Sequence, residues 1–118
     1  MLLLDVEVIT LNKNYLIMEM KEIYSCDKFK VLNVTLNVGE QMPLHEATSD
    51  AFLVCKKGKG RITFSDRVVD LCQGETLLIN AHDSHRMEIL EDFASCITLE
   101  NNGRIHFLKQ EVAESVTA

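Results

Sequence analysis

The stretch V38-GEQMPLHEATSDAFLVCKKGK-G60 decides the reading of this chain. It holds one histidine, His45, and two alanines, Ala47 and Ala51. These three alternate with or follow polar residues, and a Gly58-Lys59-Gly60 segment closes the stretch. Strand alternation places His45, Ala47, Ala51, Leu53 and Cys55 on one side, with a short bend allowed between Ala47 and Ala51. The pattern is that of a half-buried wall carrying a single imidazole.

Outward from this stretch, short apolar runs with period-two alternation dominate. In F29-KVLNVTLN-V38, Leu32, Val34, Leu36 and Val38 share a face with Lys30, while Asn33, Thr35 and Asn37 lie opposite. Ala51–Lys56 forms another run, and Gly58-Lys59-Gly60 reads as a turn after it. Arg61–Phe64 and Val68–Leu71 flank Ser65-Asp66-Arg67 as a hairpin. Thr76–Ile79, His85–Leu90, Phe93–Leu99 and Ile105–Leu108 follow. Leu16–Tyr24 conflicts locally: its apolar residues at 16, 17, 20, 23 and 24 have helical spacing. The all-strand context assigns it to a strand. Many short strands with frequent turns predict an all-β barrel or sandwich.

The bulk properties agree with one globular domain over residues 1–118. Within it we place a motif-bearing core over 31–99, N-terminal strands over 4–24 and a polar tail over 110–118. A chain of 118 residues buries roughly 65% of its unfolded surface, enough for one core. The net charge is −6, from 12 Lys and Arg against 18 Asp and Glu. With no basic stripe, nucleic acid is excluded as a partner. No apolar run reaches the length of a membrane span, and the N-terminus lacks a basic n-region, so a secretion signal is not expected. The four cysteines, Cys26, Cys55, Cys72 and Cys96, form no close pair and read as reduced thiols. The expected location is cytoplasmic.

The spacing resembles the cupin superfamily. Gly39, five residues, His45, one residue, Ala47, three residues, Ala51, six residues and Gly58 reproduce the first cupin motif, Gly-x5-His-x-His-x3-Glu-x6-Gly. Gly74, five residues, Asn80, then His82 and His85 reproduce the second, Gly-x5-Pro-x-Gly-x2-His. The resemblance covers Val31–Leu99 and implies a small single-domain cupin with degenerate metal motifs. Its fold would be a double-stranded β-helix, a jelly-roll-like barrel. In metal-binding cupins four motif side chains converge inside the barrel. Carried over, His45 and His85 match ligand positions, whereas Ala47 and Ala51 replace a histidine and a glutamate. HEATSDA also resembles a subset of small cupins that read His-x4-Asp-Ala here.

Two imidazoles fall short of the three protein ligands of a catalytic zinc, or of the two histidines and carboxylate of a non-haem iron. A divalent ion (Zn, Fe, Ni or Mn) on His45 and His85 would be weakly held. His82 and Cys55 are further candidates for a third ligand. Cys55 reads otherwise as a core thiol, and His106 as a structural histidine. Glu46 and Asp50 point outward by parity.

Three functions stay open. The first is a binding protein whose interior takes a small polar ligand, lined by His45, His85, Ala47, Ala51, Leu53, Cys55 and Met87, with the alanines enlarging the cavity. The second is a metal-dependent dioxygenase or isomerase using the two histidines. The third is a structural or regulatory homodimer, since small cupins resemble one another in pairing through their sheets.

Overall fold

The computed structural model describes residues 6–10 and 17–108, with side chains from Glu19 onward. Among the described residues nine strands follow in order: β1 Val6–Thr10, β2 Ile17–Ser25, β3 Phe29–Leu36, β4 Gln41–Ala47, β5 Ala51–Phe64, β6 Val68–Cys72, β7 Thr76–Ile79, β8 His85–Glu100 and β9 Ile105–Phe107. All pairings are antiparallel. The expected tail over 110–118 lies outside the described residues.

Two long strands organise the barrel. β5 and β8 pair from Ala51–Leu99 to Phe64–His85. Their outer neighbours change along the way. The Phe93–Glu100 half of β8 pairs with β3, and the first residues of β5 pair with β7. The His85–Glu88 end of β8 pairs with β4, and the last residues of β5 pair with β6. One layer therefore runs β1-β2-β3-β8-β5-β7 and the other β9-β4-β8-β5-β6. The ribbon of β5 and β8 turns the corner between them.

That corner corrects the sequence reading. Gly58-Lys59-Gly60 is not a turn between strands; it is a run of bulges inside β5, and His85–Leu90 and Phe93–Leu99 are likewise one strand. Bulges insert residues and bend a strand without ending it. Gly58 has φ +81, and a Cβ there would run into the backbone carbonyl of Asp92 on β8. Only glycine lets the two backbones approach so closely at the bend. β3 also stops at Leu36, so Val38 is exposed in the following turn, not on the inner face.

Over Ile17–Tyr24 the ambiguity resolves as a bulged strand, and Leu16 lies outside the described residues. Glu22 opposes Leu32 and Tyr24 opposes Val31, which leaves Ile23 as the extra residue. Met20 is buried, whereas Ile23 and Tyr24 are both exposed. The bulge breaks the parity, and this produced the helix-like spacing. Between the layers, Val34, Leu36, Leu53, Ile62, Leu71, Met87, Ile89 and Phe93 make up much of the core. Each is contributed by alternation on its strand. Burying them supplies the main drive for closure, roughly 1.5–3 kcal/mol per large side chain.

Candidate functional site

His45 and His85 meet inside the barrel. They are direct cross-strand partners on β4 and β8, both buried, with ring centroids 4.2 Å apart at 64°. Register extends this pair into a row of four rings over four adjacent strands. Phe107 on β9 opposes His45, and Phe64 on β5 opposes His85. The flanking centroid distances are 5.5 Å and 5.3 Å. Edge-to-face and tilted contacts of this kind hold ring orientation as well as adding to burial. The Arg67 guanidinium caps the row, 3.7 Å above the Phe64 ring.

Each imidazole is fixed by the carbonyl two residues before it. His45 Nδ1 lies 2.8 Å from the Pro43 oxygen, and His85 Nδ1 lies 2.8 Å from the Asp83 oxygen. A carbonyl only accepts, so Nδ1 carries the proton in both rings and donates it. Both Nε2 atoms therefore hold lone pairs. Burial, then the neighbouring His85, pushes His45 down to about 3, against the pull of the Pro43 bond. Burial likewise lowers His85, opposed by the Asp83 carbonyl and carboxylate. The pair is neutral at pH 7: two acceptors, no charge.

The cavity beside them measures about 40 Å³ and is mostly apolar. Ala47, Ala51, Leu53 and Met87 line it with both histidines. A water needs about 10–15 Å³ by this measure, so about three or four waters or one ion would fill it. Organic ligands usually occupy ~300–1,000 Å³. Ala47 and Ala51 line this space, and it is too small for a whole organic ligand. Met20, Met42 and Met87 pack into the interior, and flexible thioethers fill irregular gaps well.

Not every sequence candidate reaches this place. Cys55 is buried on the predicted face but turns its thiol to the Lys57 and Gly58 carbonyls at the bulge, away from the cavity. Burial raises its thiol pKa, which suits an inert core cysteine. His82 is exposed at φ +65, with Nδ1 3.1 Å from the Glu46 carboxylate. His106 is exposed, and Asp50 accepts from the Ala81 amide. One polar lining residue escaped the sequence reading. Ser95 is buried on the inner face of β8 and borders the cavity. Its signal was a polar residue in phase with Phe93, Ile97 and Leu99.

A metal would find His45 and His85 and little else. Among the described residues no group of three His, Cys, Asp or Glu side chains is placed to hold an ion. Methyl groups stand where Ala47 and Ala51 replace donors. The residues present do not fit a tightly held metal.

Comparison with known proteins places the architecture. No family model and no curated protein sequence matches the chain. Solved structures do match. A cupin superfamily protein from Desulfitobacterium hafniense aligns at TM-score 0.65 and 20% identity, over 70% of this chain and 76% of its own. KdgF from Halomonas sp. aligns at 0.68 and 14%, over 81% and 86%. The DMSP lyase DddQ from Ruegeria pomeroyi aligns at 0.67 and 12%, over 73% of this chain but 46% of its own. The fold is the cupin double-stranded β-helix. Among the described residues no helix is long and apolar enough to cross a membrane.

Proposed function

We propose that this cupin binds a small polar ligand through the barrel interior, one donating group of which enters the cavity and hydrogen-bonds to the Nε2 atoms of His45 and His85. One observation carries the reading. Both Nδ1 protons are committed to backbone carbonyls, which leaves two acceptor lone pairs at an apolar cavity. Among the described residues no fully buried side-chain nitrogen or oxygen lacks a partner, so these lone pairs are open to a donor that enters the cavity. A hydroxyl, amine or water supplies that donor. A divalent ion on the same lone pairs is the alternative occupant, labile because two imidazoles are its protein ligands. A metal-dependent dioxygenase or isomerase gains less support, because among the described residues no third His, Cys, Asp or Glu joins the two imidazoles.

The test is ligand screening by thermal shift on the wild type beside His45→Ala and His85→Ala, with elemental analysis of untagged protein. Circular dichroism checks the fold of each variant. Ligand-dependent stabilisation should vanish in both variants. Stabilisation that persists in them refutes the reading. A full equivalent of transition metal that survives gel filtration would transfer the site to the metal reading.

A second copy of the chain fits the outer face of the first layer. Tyr24, Val31, Thr98, Phe52 and Leu78 stand in one cross-strand row over β2, β3, β8, β5 and β7. Tyr24, Phe52 and Leu78 are 55%, 43% and 53% exposed, and Phe29 packs its ring 5.8 Å from Tyr24. At roughly 150–250 Å² per aromatic side chain, the patch offers on the order of 400 Å². That is enough for the apolar centre of an interface of about 800 Å² per partner. A homodimer paired through this row is our reading, and light scattering tests it: a monomer at tens of micromolar refutes it. The four free cysteines suit a reducing compartment, and we place the protein in the cytoplasm.

A further inference from the structure

We infer that the ligand is a small organic carboxylate whose body and anionic end lie in a groove at the barrel mouth, with only its donating end reaching the histidines. This rests on the ligand-binding reading of the pair. A cavity of about 40 Å³ accepts one functional group and no more. The rest of an organic ligand needs a second space adjoining it. A groove of about 400 Å³ provides one, and Met20, Leu99 and Ile105 border both spaces. Its volume lies within the range of ligand sites.

The groove's charges are set by strand register. Glu22 opposes buried Leu32, and Lys30 opposes buried Leu99, so both charged residues stand on a mostly apolar inner wall. Charged side chains in such positions carry a desolvation cost and are retained where something pairs with them. Lys30 Nζ donates to the Gly103 carbonyl at 2.9 Å. An ammonium has three donors and a full charge, and one neutral carbonyl answers neither. Arg104 lines the same groove, and among the described residues neither Lys30 nor Arg104 has an ion pair within 4.0 Å. Two cations against Glu22 leave the groove net positive in a chain of net charge −6. A carboxylate is the complement. Glu22 adds an acceptor for a hydroxyl or amine on the same molecule, and Met20, Leu99 and Ile105 supply an apolar floor.

The experiment is isothermal titration of the full chain at pH 7 with malate, phenyllactate and 4-hydroxybutanoate, each beside its primary amide. At least one acid should bind about tenfold tighter than its amide, the worth of one charge-assisted hydrogen bond. Lys30→Met should remove that preference, weakening the acid far more than the amide. Arg104→Gln, on an exposed loop residue, repeats the measurement should Lys30→Met fail to fold. His45→Ala should weaken acid and amide alike. If K30M and R104Q lose the preference while H45A changes nothing, the groove stands and the histidine reading falls. Acids and amides of equal affinity, no binding by any of the six, or equal loss of acid and amide in K30M each overturn the groove.

Discussion

Lowering the pH from 7 to 5 should destabilise this protein, and His45 sets the size of the effect. Its ordinary value of 6.5 falls to about 3 on folding, through burial and the neighbouring His85. Folding therefore depresses the pKa: above 6.5 the ring is neutral in both states and the stability is complete. Below 6.5 the unfolded chain takes up a proton that the folded chain refuses, and stability declines until the pH passes about 3. The slope is about 1.4 kcal/mol per pH unit for one group, so pH 5 costs about 2 kcal/mol. His85, also lowered, steepens the slope in the same sense, although Asp83 beside it works against the shift. Asp70, held low chiefly by its hydrogen bond to Arg61, titrates below its ordinary 3.8 and stays out of this window. Urea unfolding at pH 7, 6 and 5 measures the loss, with His45→Gln as control. The variant should lose most of the slope. A wild type of constant stability between pH 7 and 5, or an unaltered slope in His45→Gln, would refute the assignment of two buried neutral imidazoles.

Three other outcomes follow from the geometry. Gly58→Ala and Gly74→Ala share positive φ values of +81 and +87, but only the first meets backbone atoms. Thermal melts should show Gly74→Ala costing about 1–2 kcal/mol and Gly58→Ala clearly more; equal losses would contradict the close approach at the bend. Ala47→His with Ala51→Glu restores donors at two cavity positions and should raise zinc affinity by at least tenfold, read by competition with a chromogenic chelator; unchanged affinity would show that these positions do not converge on the pair. Phe52→Lys, in the outer row, should convert the dimer to a monomer with little change in far-ultraviolet circular dichroism, and a dimer that persists in light scattering would move the interface elsewhere.

The architecture was legible because glycine and histidine spacing is imposed by the barrel itself. Gly39, Gly58 and Gly74 all adopt positive φ, so the sequence had to mark those points whatever the chemistry inside. The inward set from His45 to Leu53, with His85 and Met87, followed from parity alone. Three things did not follow. The bend at Gly58–Gly60 looks like a turn locally, since bulge and turn draw on the same residues, and only the long-range pairing with β8 distinguishes them. The cavity's size depends on how three methionines choose rotamers, which no spacing records. The thiol of Cys55 shares the inner face, yet the bulge one residue later redirects it to the backbone.

The continuous ribbon of β5 and β8 also bears on the order in which the molecule assembles. Its pairs nest, from Phe64–His85 outward to Ala51–Leu99. The innermost pair closes a loop of roughly 20 residues and the outermost nearly 50, and loop-closure entropy favours starting at the inner end. β6 returns against β5 within that inner loop through a three-residue connection, so part of it is already shortened. Zippering from there sets His85 beside Phe64 at the first step. His45 arrives when β4 docks, so the half of the site that waits is formed before the barrel is shut.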